Sequence, residues 1–277
     1  MGGFLVDENK VRDVKIQAMS MCSKAGVGHV TSAFSCAEIV SILFYEILKK
    51  DPHNPEAQLR DRFIMSKNHG SVITYPILMD LGFIDKEMVF LENGSHLGIH
   101  TKLGIKGVDF CGGSLGIGLG FAAGIAYGAK LNKEGFLTFC IVGDGELYEG
   151  SIWESLMFAS SKELDNLIVI IDRNKLCITD YTENIIKLES IGEKMNAFGF
   201  ETREINGHSL DEIRSSLLDI RERIGCKKPL CIIANTKKGN GVDFFERSPL
   251  WHGKAPNESE RKLAEAELKN GGVDYGK

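Results

Sequence analysis

Apolar residues recur at two different spacings along this chain of 277 residues. From Val11 to Met21 they are three or four positions apart, which predicts a helix that ends at Gly26 or Gly28. The same spacing predicts helices at residues 36–48, in a run that ends at Leu81, and at 148–161, 191–198 and 210–224. Short apolar runs predict strands at 62–66, 136–142 and 167–172, and 200–205 and 230–236 are two further candidate strands.

Strands and helices therefore alternate along most of the chain. Strands that are apolar on both faces and separated by helices are typical of a parallel sheet covered on both sides. The sequence predicts a doubly wound α/β fold with a mostly parallel sheet. No linker-like tract divides it, so we expect one domain over residues 1–277, with 257–277 as a peripheral carboxyl-terminal helix and tail.

Charge and composition exclude several classes of protein. The chain has 33 Lys and Arg against 38 Asp and Glu, a net charge of −5, which argues against binding of nucleic acid or an anionic membrane through bulk charge. The longest apolar stretch, 114–129, is interrupted by glycine and is shorter than the roughly 20 residues of a membrane span. The seven cysteines form no C-x-x-C pair, which favours a reducing, cytoplasmic location.

The turn Gly143-Asp144-Gly145 follows a predicted buried strand. In parallel sheets ligands bind beyond the carboxyl ends of strands, and glycines there let backbone amides approach a phosphate. A carboxylate beside phosphate would be repelled unless a divalent cation lay between them. The next strand ends near Asn174, thirty positions later, which offers a neutral oxygen, and the Leu176 carbonyl could supply a third. These three oxygen donors predict a Mg²⁺ site, or a Ca²⁺ site.

This turn and Asn174 match the thiamine-diphosphate-binding signature, and the surrounding segments resemble transketolase. The segments are Gly26-Val27-Gly28-His29, 61–66, His69-Gly70, Gly113-Ser114-Leu115-Gly116, 144–154 and Trp251-His252-Gly253. The resemblance covers nearly the whole chain, but only the amino-terminal, diphosphate-binding part of a full-length transketolase. The chain is therefore similar to the small subunit of a split transketolase.

The resemblance implies that thiamine diphosphate and Mg²⁺ are the cofactors, and it implies a role for several residues of this chain. The metal would be held by Asp144, Asn174 and the Leu176 carbonyl. The diphosphate would be contacted by Gly143, Gly145 and His69, and the pyrimidine by Leu115 and Gly116. The substrate hydroxyls or the thiazolium end of the cofactor would be contacted by His29, His100 and His252. Glu149 would lie at a subunit contact that joins two active sites.

The implied reaction moves a two-carbon ketol unit from a ketose to an aldose, with sugars or sugar phosphates as substrates. Imidazole side chains suit it, because hydroxyl protons must move during C–C cleavage at neutral pH. The family also requires a glutamate from a pyrimidine-binding domain, and 277 residues hold no second α/β domain. The resemblance therefore implies a carboxyl-terminal transketolase-like partner subunit and an α2β2 assembly.

Three segments depart from the family pattern, and one of them, Phe110-Cys111-Gly112, is unusual ahead of the turn at 113–116. Gly98-Ile99-His100-Thr101 stands where the family has Gly-His-Pro-Glu, so His96 is an alternative to His100 at the substrate-facing position. Lys67-Asn68-His69-Gly70 stands where transketolases commonly have Asn-Gly-His. The pair Lys237-Lys238 is interpreted as a solvated basic loop in preference to a phosphate or substrate contact.

Other functions are possible on this sequence. Within the cofactor class, the alternatives are a 2-oxoacid dehydrogenase component or a synthase that joins pyruvate to a sugar phosphate. Residues 251–254 and the surroundings of His29 favour transketolase over both. A non-catalytic regulatory homologue is a third alternative, against which the presence of both metal-binding side chains argues.

Overall fold

Five parallel strands form the sheet at the centre of the fold. They are β1 (Arg62–Met65), β2 (Thr138–Gly143), β3 (Leu167–Arg173), β4 (Glu201–Asn206) and β5 (Leu230–Asn235). Their spatial order is β1-β2-β3-β5-β4. Each of the five predicted strands is confirmed, with its ends moved by two residues at most. The structure is a computed structural model and describes residues 5–178, 180–246 and 248–271.

Helices cover both faces of this sheet. They are α1 (Glu8–Ala25), α2 (Val30–Ser35), α3 (Ala37–Ile42), α4 (Thr74–Asp80), α5 (Gly118–Leu131), α6 (Gly150–Ser161), α7 (Thr182–Ile185), α8 (Ile191–Ala197), α9 (Leu210–Leu217), α10 (Asp243–Glu246) and α11 (Glu258–Lys269). Tight turns of 3₁₀ type occupy Asn68–Ile73, Gly145–Tyr148 and Pro249–Trp251, and a π-turn occupies Leu43–Ile47. The predicted doubly wound α/β fold is confirmed.

Alternate residues of β1, β2, β3 and β5 belong to two apolar clusters, whereas the edge strand β4 is mostly polar. In β2, Phe139 and Ile141 pack into one cluster, whereas Cys140 and Val142 pack into the other. Side chains of a strand point alternately to opposite faces, so the clusters lie on the two sides of the sheet. The sheet therefore has no solvent-facing side in its centre, and polar groups gather at its ends.

The amino-terminal helix is confirmed and its ends are capped. Asp7 Oδ1 accepts a hydrogen bond from Lys10 N at 2.8 Å, and Gly26 ends α1 with φ 71°. A left-handed residue is the usual helix stop, and glycine adopts it without a Cβ penalty. This stop turns the chain into the segment that carries His29.

Two predicted helices are shorter than expected. Residues 36–48 are divided between α3 and the π-turn, and α2 precedes them with a break at Cys36. Every residue from Val30 to Phe44 is buried, so no polar face marks these boundaries in the sequence. The predicted helix 210–224 ends at Leu217, and turns follow it.

The carboxyl-terminal helix expected within residues 257–277 is present as α11. α11 begins with a capping box, because Asn257 Oδ1 accepts from Glu260 N and Glu260 Oε2 accepts from Asn257 N. It contacts α1 and buries Ala264 and Leu268. Residues 272–277 of the predicted tail lie outside the described residues. Among the described helices, none is long and apolar enough to cross a membrane.

Candidate active site

A cavity of about 260 Å³ lies at the carboxyl end of the sheet. Four strands contribute to its wall through the residues that follow them: Lys67 and His69 after β1, Gly143–Gly145 after β2, Asn174 after β3, and Lys238 after β5. Ser32 of α2 also lines the cavity, and the remaining lining residues come from loops and turns: His29, His100, Gly113, Leu115, Glu146, Leu176, Cys177, Ile178 and His252. The lining residues are therefore scattered along the sequence between His29 and His252.

Asp144 lies on the floor of this cavity and is 1 % exposed. Its Oδ1 accepts from Gly145 N at 2.8 Å, and its Oδ2 accepts from Lys175 N at 2.6 Å and from Arg173 Nη1 at 3.1 Å. Burial and the neighbouring carboxylate of Asp172 raise the pKa of Asp144 to about 6. A buried carboxylate with a raised pKa gains stability when a cation approaches it.

Asn174 and Leu176 are half-buried and line the same cavity as Asp144. The register that places Gly143 opposite Asp172 brings the two strand ends together. Asn174 Oδ1 accepts from Leu176 N at 3.1 Å, which fixes the amide oxygen beside the loop that follows β3. The adjacency expected for the two strand ends is therefore observed.

Asp172 and Lys67 form an ion pair beneath these groups that the sequence analysis did not identify. Asp172 is 0 % and Lys67 1 % exposed. Ser35 Oγ donates to Asp172 Oδ1 at 2.6 Å, and Thr236 also hydrogen-bonds that carboxylate. Although burial alone would lower it, the pKa of Lys67 is raised because the carboxylate of Asp172 faces it. Lys67 therefore brings a fixed positive charge to the cavity.

Glu146 is a second buried carboxylate that the sequence analysis missed. Its Oε1 accepts from Ser66 Oγ at 2.5 Å and from Gly116 N at 2.8 Å, and its Oε2 accepts from Gly143 N at 3.1 Å. Burial raises the pKa of Glu146. Its hydrogen bonds join the turn after β2 to the turn at 113–116, so both turns hold fixed positions on the cavity wall.

Three histidines from distant parts of the sequence form a cluster. Ring centroids are 5.3 Å apart for His29 and His69, 5.3 Å for His29 and His252, and 5.4 Å for His69 and His252. Burial and neighbouring positive groups lower the pKa of His29 to about 4 and that of His252 to about 3, and they lower the pKa of His69 well below its usual range. All three imidazoles are therefore neutral at pH 7.

The interpretation of Lys237-Lys238 as a solvated loop is wrong for one of the two residues. Lys237 is exposed, but Lys238 is 5 % exposed and lines the cavity. Burial and the charge of Lys67 lower the pKa of Lys238 to about 8. The sequence could not distinguish the two lysines, because the loop after β5 turns one inward and leaves the other in solvent.

Of the two alternatives at the substrate-facing position, His100 lines the cavity, whereas His96 is exposed and is not part of its wall. Leu115 lines the cavity as well, and Gly116 lies beside it with φ 85°. Glu149 is exposed and does not line the cavity. Its position at the surface leaves it free for the subunit contact that the resemblance implies, which stays a prediction.

The cavity suits a phosphorylated ligand with a bound metal ion. Lys67 and Lys238 provide positive charge on its wall, and His29 Nδ1 is a buried polar atom that has no hydrogen-bond partner among the described residues. Asp144, Asn174 and the Leu176 carbonyl provide the oxygen donors that Mg²⁺ prefers. Among the described residues no group of three or more His, Cys, Asp or Glu is placed to hold a metal. The proposed set contains one carboxylate only and does not need such a group.

Comparison with known proteins identifies the family of the chain. Residues 6–272 match the family described as transketolase, thiamine diphosphate binding domain. The chain belongs to the transketolase family. The resemblance expected from the sequence is thereby confirmed, and so is a thiamine-diphosphate-binding fold.

Two curated relatives of this transketolase chain align over most of both sequences. The chain is 36 % identical over 247 residues to a subunit of the apulose-4-phosphate transketolase of Phocaeicola vulgatus, covering 88 % of this chain and 87 % of that protein. It is 37 % identical over 268 residues to the 6-deoxy-6-sulfo-D-fructose transketolase subunit SqwG of a Clostridium species, covering 96 % of each. Both relatives are named as subunits.

Solved structures of transketolases have the same fold. The structure of transketolase from Campylobacter jejuni superposes with a TM-score of 0.86 at 30 % identity, covering 95 % of this chain and 42 % of that one. The transketolase chain described here thus spans about two fifths of the length of that protein. It corresponds to the family's diphosphate-binding part.

Proposed function

We propose that this chain is the diphosphate-binding subunit of a split transketolase that depends on thiamine diphosphate and Mg²⁺. The observation that carries the proposal is the single cavity lined by Asp144, Asn174, Leu176 and the three clustered histidines. The match to the diphosphate-binding domain of transketolase supports it. The reaction would transfer a two-carbon ketol unit from a ketose to an aldose.

The floor of the cavity is the proposed metal and diphosphate end. Asp144, Asn174 and the Leu176 carbonyl would hold Mg²⁺, or Ca²⁺, between them and the diphosphate. The turn residues Gly143 and Gly145 admit an anion close to the backbone, and Lys67 and His69 lie on the same wall. Positive charge and metal together offset the charge of the diphosphate, which a buried Asp144 alone would repel.

The neutral histidines form the proposed substrate end. Thiamine diphosphate, when bound, supplies the reactive carbon that takes up and releases the two-carbon unit. His29, His252 and His100 would hydrogen-bond the hydroxyl and carbonyl oxygens of the sugar and carry protons during C–C cleavage. A neutral imidazole can accept a proton at one nitrogen while it donates the N–H of the other. Leu115 and Gly116 would adjoin the pyrimidine.

We infer that a carboxyl-terminal transketolase-like subunit completes the enzyme, in an α2β2 assembly in which Glu149 lies at the contact between sites. The chain aligns over nearly its full length with two proteins named as transketolase subunits. Those relatives are named for a phosphorylated and a sulfonated sugar, so ketoses with an anionic group are the donors to screen first. The seven free cysteines favour a cytoplasmic location.

Isothermal titration calorimetry tests the proposal directly. Thiamine diphosphate with Mg²⁺ is titrated into this chain alone and into its mixture with the carboxyl-terminal transketolase-like protein from the same organism. We expect binding that appears or tightens at least about tenfold with the partner, because the partner covers the pyrimidine end. Absence of binding to either sample would refute a cofactor-dependent function.

A matched pair of variants tests the metal site in the same assay. Asp144→Ala should abolish Mg²⁺-dependent cofactor binding. Asp211→Ala makes the same replacement at an aspartate whose side chain is 96 % exposed, and it should leave the affinity unchanged. Equal affinities for wild type and Asp144→Ala would remove Asp144 from the metal site.

A further inference from the structure

Asn68 and Thr101 hold each other through two reciprocal hydrogen bonds. Thr101 N donates to Asn68 Oδ1 at 2.7 Å, and Asn68 Nδ2 donates to Thr101 Oγ1 at 2.7 Å. Both residues are buried, with 1 % and 4 % of their surface exposed. Neither contact follows from sequence spacing, because the residues are 33 positions apart. The pair therefore joins the 3₁₀ turn after β1 to the loop at 98–101 at two points.

The side chains of Asn68 and Thr101 each donate a further hydrogen bond to a backbone carbonyl. Asn68 Nδ2 also donates to Met65 O at 3.2 Å, at the end of β1, and Thr101 Oγ1 donates to Phe110 O at 2.7 Å. Each donor of the Asn68 amide and the Thr101 hydroxyl therefore has a partner. A fully satisfied buried network fixes one arrangement of the segments it joins. Here it joins the end of β1, the loop at 98–101 and the segment that leads to Gly113.

A cavity histidine is the chain neighbour of each member of this pair. His69 follows Asn68, and His100 precedes Thr101. The loop is also held on the other side of His100, because Tyr75 Oη donates to Gly98 O at 2.8 Å. The backbone on both sides of His100 is thus anchored to buried groups.

Few contacts of its own hold the imidazole ring of His100 in place. Among the described residues it takes part in no hydrogen bond. On one side it lies against Gly113, where an added Cβ would stand 3.4 Å from His100 Nδ1. The position of the ring therefore follows from the position of its backbone and from this glycine. Asn68 and Thr101 each belong to a segment in which this sequence departs from the transketolase pattern.

We propose that Asn68 and Thr101 are a positioning pair that holds the imidazole of His100 in the cavity wall, where the sugar donor binds. The inference rests on the proposed transketolase function. Neither residue lines the cavity, so the pair acts through His100 and not by contact with substrate. Catalytic groups lose efficiency when they are displaced by a fraction of an ångström to one ångström.

The first experiment compares Thr101→Val with Thr101→Ser in the complex with the partner subunit. Valine has the shape of threonine without its hydroxyl, whereas serine keeps the hydroxyl. We expect kcat/KM for the ketose donor to fall about tenfold with valine and to stay within about twofold with serine. The Kd for thiamine diphosphate should stay within about twofold in both. A parallel loss of cofactor affinity would overturn the proposal in favour of general disruption of the site.

A double-mutant cycle tests whether the effect passes through His100. In a His100→Ala background, Thr101→Val should cause no further loss of kcat/KM, because the group that it positions is absent. A further loss of about tenfold in that background would show that Thr101 acts independently of His100 and would overturn the proposal.

The second experiment uses this chain alone and does not require activity. Modification of each histidine by diethyl pyrocarbonate is followed by peptide mass spectrometry, with the exposed His96 as internal reference. Thr101→Val should raise the rate at His100 relative to His96 by about threefold or more, and Thr101→Ser should not. An unchanged ratio with valine would refute positioning, even if the complex proved to have another activity. Should Thr101→Val fail to fold, Asn68→Ala takes its place, since it removes both bonds to Thr101.

Discussion

Lys238 Nζ lies 2.6 Å from Nδ1 of His252. Lysine donates in this contact when it is protonated, so Nδ1 of His252 accepts and its Nε2 carries the proton. Burial and the charge of Lys238 lower the pKa of His252 to about 3, and burial with the charge of Lys67 lowers that of Lys238 to about 8. The contact thus sets the tautomer of the imidazole. Burial disfavours the charged form of Lys238, and a bound anion would stabilise that form.

Lys238→Met should stabilise the ligand-free chain. The pKa of Lys238 is about 8 when folded against about 10.5 when unfolded, so the folded state holds its charge at a cost of up to about 3 kcal/mol at pH 7. Between pH 8 and about 10.5 the unfolded chain binds more protons, so wild-type stability rises with pH and the gain from the variant disappears. Urea unfolding at pH 7 and pH 10 measures both effects.

Lys237→Met is the matched control, since its side chain is exposed. It should change the free energy of unfolding by less than about 0.5 kcal/mol. The same Lys238→Met variant should weaken cofactor binding at pH 7, because a cation is lost from the cavity wall. A destabilised Lys238→Met chain would show that the contact with His252 outweighs the desolvation of the lysine.

His252→Ala should lower turnover more than cofactor affinity. The ring lies in the cluster with His29, at the proposed substrate end, and its Nδ1 is held by Lys238. We expect kcat to fall about a hundredfold or more, which is within the range for loss of a proton-transfer group, with a Kd for thiamine diphosphate within about threefold. Equal loss of kcat and affinity would instead place His252 on the diphosphate.

The strands and the metal-site residues were predictable because they depend on local patterns. Buried strands are continuous apolar runs, and Asp144 and Asn174 directly follow two of them. Adjacent parallel strands end at the same edge of a sheet, so their neighbouring positions followed from the topology alone.

The buried charges could not be predicted in the same way. Lys67 and Glu146 follow apolar strands and Asp172 lies near the end of one, and a sequence does not reveal whether such a residue faces solvent or a partner. The Lys67–Asp172 pair joins positions that are 105 residues apart. Only the fold brings them together, and the same is true of Lys238 and His252. A signal was present for Lys67 and for Glu146, since each adjoins a turn that the sequence marks as a candidate site, the first with His69 and the second with Asp144.

Mg²⁺-dependent cofactor binding should weaken below pH 6. Burial and Asp172 raise the pKa of Asp144 to about 6, and a metal binds the carboxylate and not the acid. The affinity should therefore fall about tenfold per pH unit below this value. The pKa of His29 is about 4 and that of His252 about 3, so their protonation does not contribute between pH 5 and 7. Calorimetry at pH 7, 6 and 5 measures the slope, corrected by a titration of Mg²⁺ into the cofactor without protein.

Gly116→Ala should destabilise the chain and disturb the cavity wall. Gly116 has φ 85°, and an added Cβ would stand 2.6 Å from Ser151 Oγ and 2.7 Å from Glu149 Cβ. Strain in the left-handed region and this overlap together should cost about 2–4 kcal/mol, measured by urea unfolding of the chain alone. The displaced turn also carries the N–H that donates to Glu146, so cofactor affinity should fall as well.

Gly124→Ala is the control from the neighbouring helix α5. A Cβ there meets no atom within 4 Å, and the backbone is helical, so alanine should stabilise the chain by about 0.5–1 kcal/mol. The two substitutions make the same chemical change and differ only in backbone conformation and surrounding space. Similar free energies of unfolding for both variants would mean that the turn at 116 relaxes freely. Glu146 would then not hold Gly143 and Gly116 in fixed positions, and the cavity wall would not be preorganised for the cofactor.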